Sequence, residues 1–343
     1  MSKNVVLRLN GYVDHNFGDD YMFKLVVHSL PEVMFFVDTQ EQDVPCLADE
    51  PNVCFGTCGQ EHAPLLTVIG SGFVINDWKG CWYELKCLLR RKEVGEFCLG
   101  CNIETFPNWC FRFLMKCKLC RYRLITCRDQ SSLRWLKKHC KRSETHYAPD
   151  ILFSLPDEWL PQEKTADHLG ISVMNLGDGD TARRYYDCLA QAADHYIAQT
   201  GRGVILLAFD SGMEDDVSAC RWVNERMKAP ERAEIVAHHR GGEIFAAYAR
   251  CEKIIATRFH SAVLAMRMGI EVYPIIYRDK MRNLLKDICY SHHGSDWDQL
   301  DLSVLRAFVT QRQKLHFLPQ EIFERAGQHV QLLRAAIKKD GKR

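Results

Sequence analysis

The segment KIIATRFHSAVLAMRMGIEVYPIIYRDK, at residues 253–280, constrains the fold of this chain more than any other stretch. Lys253–Thr257 is a short run containing β-branched residues, Phe259–Met268 has apolar residues at helical spacing, and Glu271–Tyr277 again has the composition of a strand. Gly269 follows the helical pattern, at a point where helices commonly end. Two strands joined by a helix of this length are usually parallel, so the segment predicts an α/β unit with a parallel sheet.

Charged and titratable side chains follow both of these predicted strands. Arg258 and His260 come at the end of the first strand, Lys280 comes after the second, and Ser261 lies in the first helical turn. In an open α/β sheet, ligands bind beyond the carboxyl ends of the strands, and a helix N-terminus there attracts anions. The segment therefore predicts an anion site. The alternative is that Arg258 and Lys280 are solvated and that His260 caps or packs against the helix.

The rest of the chain continues the alternation of strands and helices. Its 343 residues exceed what one hydrophobic core usually supports, so we expect two domains. In the first half, the predicted strands are Val5–Leu9, Val33–Val37, Leu66–Ile69, Glu96–Leu99 and Arg123–Thr126. A proline-containing stretch at residues 146–168 connects to a second unit, which begins at GISVMNL, residues 170–176. The two halves together predict two doubly wound α/β domains.

The sequence predicts a cytoplasmic protein. No apolar stretch reaches the ~20 residues of a membrane-spanning helix, and Lys3 is followed directly by a predicted strand, without the pattern of a signal peptide. In that compartment, the sixteen cysteines are expected to be reduced thiols that serve mainly as small core residues.

Two pairs of cysteines have the spacing of a zinc site. Cys98 and Cys101 are separated from Cys117 and Cys120 by fifteen residues, as in a zinc ribbon. However, Cys98 ends a predicted strand, and Cys117 and Cys120 fall within a helical pattern that puts both thiols on one face. We therefore predict no metal, and zinc binding by these four cysteines stays an open alternative that zinc analysis of purified protein would decide.

Four motifs resemble the polysaccharide pyruvyl transferases. They follow one another between about residue 5 and about residue 290, and they are GYVDHNFGDD at 11–20, IGSGF at 69–73, CRDQSSLRWL at 127–136 and ATRFHSAVLAMRMGIEVYPIIYRDK at 256–280. The resemblance implies two facing Rossmann-like doubly wound domains, as in the GT-B arrangement. These would be an acceptor-side domain at 1–160 and a donor-side domain at 161–315, with a C-terminal helix and tail at 316–343. It also implies transfer of pyruvate from phosphoenolpyruvate onto a sugar as a ketal, without a further cofactor.

The resemblance and the chemistry of that reaction together assign roles to residues of this chain. Phosphoenolpyruvate carries a carboxylate and a phosphate, so its pocket needs fixed cations and little apolar area. Arg258 is expected to clamp one of these groups, His260 to donate a hydrogen bond or a proton, and Lys280 to neutralise the departing phosphate. The predicted site also includes Asp19, as catalytic base or to orient the acceptor hydroxyl, Ser261 and Arg128 on the donor side, and Asn16, Asp20, Asn102 and Glu104 on the acceptor side. Asn175 stands where family members often have an arginine.

Structural roles are the alternative for several of these residues. Asp19 follows Gly18 at the start of a predicted helix, where it would serve as an N-cap. Arg128 precedes Asp129 and a helix onset, where the two would form an ion pair. Asn102 and Glu104 would be ordinary residues of a surface loop.

Residues 81–142 are strongly basic. They contain fifteen Lys and Arg against five Asp and Glu, a net charge of +10, so that the rest of this +1 chain sums to −9. Aromatic residues are interleaved with these charges, as at a surface that binds an anionic membrane leaflet or a nucleic acid. The third interpretation is an ordinary basic face with its aromatic residues in the core. A lipid-linked acceptor favours the membrane, so charge reversal is expected to release the protein from anionic vesicles. The residues for that reversal are Arg90, Arg91, Lys137 and Lys138.

The predicted function is that of a ketal-forming pyruvyl transferase in the biosynthesis of a cell-surface or capsular polysaccharide. Its expected partners are phosphoenolpyruvate, a saccharide held on a polyprenyl diphosphate and the inner face of the cell membrane, with no nucleic acid. One alternative is a GT-B glycosyltransferase, which a nucleotide sugar rather than phosphoenolpyruvate would stabilise thermally. The other is a zinc-containing nucleic-acid-binding protein, which would hold stoichiometric zinc and bind oligonucleotides in a salt-dependent way.

Overall fold

The chain forms two parallel β-sheets with helices packed against them. The computed structural model describes residues 5–12, 14–56, 63–68, 78–90, 95–103, 108–290, 294–311 and 317–340. The strands within these ranges are β1 (Val5–Asn10), β2 (Val33–Val37), β3 (Val53–Phe55), β4 (Leu65–Val68), β5 (Gly95–Cys101), β6 (Leu124–Cys127), β7 (Glu144–Tyr147), β8 (His168–Val173), β9 (Gly203–Ala208), β10 (Ala233–Ala237), β11 (Cys251–Ala256), β12 (Glu271–Ile276) and β13 (Ser295–Asp296). The α-helices are α1 (Phe17–His28), α2 (Trp78–Arg90), α3 (Trp109–Leu119), α4 (Gln130–His139), α5 (Asp180–Thr200), α6 (Asp216–Arg226), α7 (Gly242–Arg250), α8 (Phe259–Arg267), α9 (Asp279–Asp287), α10 (Leu302–Thr310), α11 (Gln320–Ala326) and α12 (Gln328–Asp340).

The first unit contains a parallel sheet with the strand order β3-β2-β1-β4-β5-β6-β7. The order reverses between β1 and β4, as in a doubly wound fold. Leu7, Leu66 and Ile125 of three of its strands are fully buried, which is typical of a parallel sheet that is covered on both faces. The prediction of Rossmann-like doubly wound domains is confirmed for this unit.

Helices α11 and α12 lie in the segment predicted to be the C-terminal helix and tail, 316–343, and they pack onto the first unit. His329 of α12 is buried, and its Nε2 lies 2.8 Å from the carbonyl oxygen of Pro149. Its Nδ1 lies 2.6 Å from the hydroxyl of Thr126. Burial lowers the pKa of His329 to about 4, so the ring is neutral near pH 7. Nε2 then donates to Pro149 and Nδ1 accepts from Thr126, which fixes the helix on the sheet.

The second unit contains a parallel sheet with the order β10-β9-β8-β11-β12-β13. Its order reverses between β8 and β11, so the ligand crevice expected of such a fold lies at the carboxyl ends of these two strands. Helix α5 packs its tyrosines into the core and is capped by Gly201, whose φ of 68° is a left-handed conformation that favours glycine. The doubly wound prediction is confirmed for this unit as well.

A short N-terminal segment, Asp14–Gly18, belongs to the second unit although it precedes α1 in the chain. The amide of Phe17 donates to the carbonyl of Phe209 at 2.9 Å, and the amide of Ser211 donates to the carbonyl of His15 at 3.2 Å. The Phe17 ring is fully buried against Phe209. The second unit thus comprises Asp14–Gly18 and Leu155–Gln320, whereas the expected donor-side domain was 161–315.

None of the helices in the described ranges has both the length and the apolar composition required to cross a bilayer.

Candidate functional site

The carboxyl ends of β8, β9 and β11 bring together the polar residues of the candidate site. β11 ends at Ala256, and Arg258 and His260 follow at the start of α8. β9 ends at Ala208 and is followed by the acidic stretch at 210–216. Because β8 is hydrogen-bonded to both strands, these loops meet at the point where the strand order of the second sheet reverses.

Arg258 is held by two carboxylates. Its Nε donates to Asp216 Oδ2 at 2.7 Å and its Nη2 to Asp216 Oδ1 at 2.6 Å, which is a bidentate pair. Its Nη1 donates to Glu214. The sequence analysis predicted an arginine available to clamp an anion, whereas the structure neutralises Arg258 from two sides.

Asp216 is the buried partner in this arrangement. Its side chain is 0% exposed, and it also accepts hydrogen bonds from the amides of Asn175 at 3.1 Å and Asp210 at 3.0 Å. Burial raises the pKa of Asp216, while Arg258 and the two amides stabilise the ionised form. The backbone of Asn175 therefore helps to hold Asp216.

Asp210 organises the loop that follows β9. One carboxylate oxygen accepts from the amides of Gly212 at 3.0 Å and Glu214 at 3.3 Å. The other accepts from the side-chain amide of Asn16 at 3.1 Å. Burial raises the pKa of Asp210 to about 6, against the opposing effects of Asn16 and Arg258. Asp210 thus joins the N-terminal segment to the loop that carries Glu214.

Glu214 is the accessible carboxylate of the group. Its side chain is 47% exposed, in contrast to the fully buried Asp216. Although partial burial opposes ionisation, the charges of Arg258, Lys280 and Arg278 hold the pKa of Glu214 below its ordinary value. The loops after β9, β11 and β12 therefore place opposite charges close together.

His260 is the second residue of α8 and is largely buried. A Cβ at Gly18 would overlap its imidazole ring, so Gly18 lies directly against that ring. The ring of Phe259 is edge-on to it at 5.1 Å between centroids. The glycine of the GYVDHNFGDD motif is thus needed for the close approach of the N-terminal segment to His260.

Lys280 lies at the start of α9 and is half-buried. Its Nζ is 5.1 Å from the ring centroid of Tyr277 and 5.6 Å from that of Phe259. These cation–π contacts hold the ammonium group near the start of α8. The predicted convergence of Arg258, His260 and Lys280 is therefore present in the second unit, together with acidic partners that the sequence analysis did not foresee.

Three other predicted residues have structural contacts within their own units. The hydroxyl of Ser261 is fully buried and lies 2.6 Å from that of Tyr248. Arg128 is buried in the first unit, where it donates to Asp150 at 2.9 Å and to Asn102 at 2.8 Å. The interpretation of Asn102 as a surface residue is wrong, and Arg128 forms an ion pair with Asp150.

The remaining predicted residues lie near the start of α1 or outside the described ranges. Asn16 caps α1, because its side-chain oxygen accepts from the amide of Gly18 at 3.0 Å. Asp19 and Asp20 are buried in the first helical turn, where acidic side chains interact favourably with the helix dipole. Glu104 and the IGSGF turn lie outside the described residues.

The four cysteines with zinc-like spacing occupy two kinds of environment. Cys98 and Cys101 are buried in β5, and burial raises the pKa of the Cys98 thiol well above its ordinary value. Cys117 and Cys120 are half-buried, and the Cys120 thiol lies 3.4 Å from that of Cys140. In the part of the chain that the structure describes, no three His, Cys, Asp or Glu side chains are grouped as a metal site would require.

The residues that the sequence analysis missed are Asp210, Glu214 and Asp216. They occur in FDSGMEDD at 209–216, directly after the apolar strand GVILLA. Carboxylates that follow a buried parallel strand are a recognisable signal of a residue group at the ligand-binding edge of the sheet. The sequence therefore contained this signal for the three carboxylates, of the same kind as the one that identified Arg258.

Comparisons with known proteins give a family match and a fold match. A family model described as polysaccharide pyruvyl transferase matches residues 14–279. The matched range includes Asp210, Glu214, Asp216, Arg258 and His260, and it ends just before Lys280. None of the curated protein sequences compared with the chain matches it significantly.

Solved structures resemble the whole chain in fold. Anabaena Alr3699/HepE in complex with UDP-glucose has a TM-score of 0.58 and 14% identity, with 98% of this chain and 98% of that chain covered. The UDP-GlcNAc 2-epimerase from Methanocaldococcus jannaschii has a TM-score of 0.61 and 8% identity, with 96% and 99% covered. At such identities the likeness establishes a GT-B-like fold and nothing about ligands.

Proposed function

Because the chain belongs to the polysaccharide pyruvyl transferase family, we propose that it transfers the pyruvyl group of phosphoenolpyruvate to a sugar as a ketal. The observation that supports this most is the arrangement of Arg258, His260 and Lys280 at the strand ends of the second unit, within or next to the matched region. Cations and a helix N-terminus at this edge suit a small substrate with two anionic groups.

The proposed reaction converts phosphoenolpyruvate and two sugar hydroxyls into a ketal and inorganic phosphate. A proton is added to the enol methylene, a hydroxyl attacks the resulting oxocarbenium-like carbon, phosphate leaves, and a second hydroxyl completes the ketal. Of the two hydroxyl protons lost, one balances the new methyl group and the other leaves with phosphate. His260 is the proposed proton donor, since histidine changes protonation nearest neutral pH, and Lys280 neutralises the phosphate.

Asp19 stays the proposed base for the acceptor hydroxyl, because it follows Gly18 directly and Gly18 lies against His260. The acceptor is proposed to be a sugar on a polyprenyl diphosphate, in the assembly of a cell-surface or capsular polysaccharide. Such an acceptor would place the reaction at the inner face of the membrane, to which the basic residues at 81–142 would be attracted.

The direct test is incubation of the purified protein with phosphoenolpyruvate and a panel of lipid-linked and soluble glycans. We expect a pyruvyl mass increment on a glycan and an equal amount of released phosphate. Thermal stability is measured in parallel with phosphoenolpyruvate and with UDP-sugars, because a ligand of the folded state raises the melting temperature. Stabilisation by a UDP-sugar with sugar transfer, and no pyruvyl increment on any glycan, would instead identify a glycosyltransferase.

Glu214 is expected to compete with the donor for Arg258. Because Glu214 is accessible and Asp216 is fully buried, we expect an incoming carboxylate or phosphate to displace Glu214 from Arg258. Glu214→Gln removes the competing charge. A half-exposed ion pair is worth up to about 1 kcal/mol, so the KM for phosphoenolpyruvate should fall about fivefold.

Steady-state kinetics measure this effect, and Glu234→Gln is the matched control. Glu234 is an exposed carboxylate of the same unit that pairs with Arg250 at 2.8 Å, away from Arg258. Its replacement should leave the KM unchanged. If Glu214→Gln instead abolishes turnover at an unchanged KM, Glu214 acts on the reacting groups rather than as a competitor.

A further inference from the structure

Four large aromatic side chains project from α2 and α3 into solvent. Their exposed fractions are 60% for Trp78, 62% for Trp82, 71% for Trp109 and 57% for Phe113. Each helix carries two of them at a spacing of four residues, so each pair lies along one side of its helix. We call these four residues the aromatic face.

The aromatic face is anchored to the hydrophobic core of the first unit. Helices α2 and α3 contact each other, and the Trp78 ring packs edge-on against Phe111 at 5.2 Å between centroids. Phe111 is buried in a core cluster of this unit. By contrast, Phe97 and Tyr122 of the same basic stretch are buried. The exposure of the aromatic face is therefore not shared by all the aromatic residues of this stretch.

Exposed basic residues border the aromatic face. Lys86 follows Trp82 by four residues on α2, and Lys116 follows Phe113 by three residues on α3, so each lies on the same side of its helix one turn further on. Lys79 and Arg112 are exposed beside the aromatic residues. Helix α3 contains no Asp or Glu. The side of the aromatic face formed by α3 is therefore positively charged.

The chemistry of this surface distinguishes among possible partners. Tryptophan and phenylalanine beside lysine are typical of helices that lie in the interface of an anionic bilayer. Protein interfaces also favour aromatic residues, but they are depleted in lysine. A soluble protein rarely exposes several large apolar side chains together without a binding role. The combination therefore fits a lipid surface better than a protein partner.

We propose that the aromatic face inserts its side chains into the interfacial layer of an anionic leaflet while Lys86, Lys116 and Arg112 contact lipid phosphates. This inference rests on the proposed function in one respect: the role of membrane binding would be to hold the enzyme beside a lipid-linked acceptor. Insertion adds an apolar contribution to the charge attraction expected from the basic stretch. Binding should for that reason persist in part at salt concentrations that screen exposed charges.

The test uses the full-length protein and vesicles of phosphatidylcholine with and without phosphatidylglycerol. We expect binding to the anionic vesicles, a blue shift of tryptophan fluorescence and quenching by brominated lipids. Trp82→Ser with Trp109→Ser should weaken vesicle binding about tenfold or more. The two indole rings would no longer contribute the free energy of their transfer from water into the lipid interface. Lys86→Glu with Lys116→Glu should weaken binding mainly at low salt.

The matched control is Phe317→Ser, which removes an aromatic side chain 68% exposed in the second unit and should leave vesicle binding unchanged. The four lipid-facing substitutions lie at exposed positions, and circular dichroism should confirm an unaltered fold. Absence of vesicle binding at low salt overturns the inference, as does binding that the Trp82 and Trp109 substitutions leave unaffected. The inference is also overturned if the same variants keep their vesicle binding and instead lose a homodimer or the ability to bind oligonucleotides.

These outcomes are separable from the proposed reaction. If vesicles do not bind but a soluble glycan gains a pyruvyl group, only the membrane surface is misassigned. If the aromatic face binds vesicles but no glycan gains a pyruvyl group, the reaction is misassigned and the surface stands.

Discussion

Arg258→Ala is expected to abolish turnover and also to lower the free energy of unfolding by about 3–5 kcal/mol, because it leaves a buried charge unpaired. Asp216, with its side chain 0% exposed, relies on the bidentate contact with Arg258 to remain ionised. Urea denaturation followed by circular dichroism measures the loss. Arg250→Ala is the control, since its pair with Glu234 is exposed and should cost no more than about 1 kcal/mol.

A double-mutant cycle measures the interaction energy of Arg258 with Asp216 separately from the contacts that each makes with other residues. Asp216→Asn keeps one acceptor for the amides of Asn175 and Asp210 while removing the charge. Combined with Arg258→Met, it should destabilise the protein by about 2–3 kcal/mol less than the sum of the two single substitutions. All three variants should be inactive. Additive losses would mean that Arg258 and Asp216 do not stabilise the fold as a pair.

Much of the architecture follows from local sequence patterns. The apolar run of β11, the helical spacing of α8 and the apolar run of β12 are adjacent in the chain, and neighbouring strands of a parallel sheet are joined in this way. The missed strands β3, β7 and β13 are short or polar and lie at the sheet edges. An edge strand is less buried than a central one, so it needs fewer apolar residues. Local patterns therefore predicted the interior of both sheets but missed three of their four edge strands.

The composition of the site depends on contacts that no local pattern contains. Arg258 pairs with Asp216, which is 42 residues earlier in the chain, and Asn16 bonds to Asp210 across 194 residues. The sequence predicted where the cations lie, because each directly follows a strand. It did not predict that Arg258 would be neutralised, because that depends on the side-by-side placement of the loops after β9 and β11. Folding brings these loops together through β8, with which both strands pair.

His260→Ala is expected to lower turnover by about 10²–10⁴-fold, the usual contribution of a positioned proton donor, while the protein stays folded. This substitution leaves the buried pair of Arg258 with Asp216 in place. Single-turnover phosphate release measures the chemical step, and a thermal melt checks the fold. Unchanged phosphate release would remove His260 from the reaction.

Gly18→Ala tests the same residue without altering its side chain. A Cβ at Gly18 would overlap the imidazole, so the ring has to move, and a displacement of about 1 Å commonly costs about 10²-fold in rate. Gly179→Ala is the control, because a Cβ there meets no atom within 4 Å and the backbone φ is −65°. If Gly18 acts only by positioning His260, adding Gly18→Ala to His260→Ala should cause no further loss of turnover. An additional loss in the double variant would show that the N-terminal segment contributes to the reaction in its own right, and Asp19 would then be the next residue to replace.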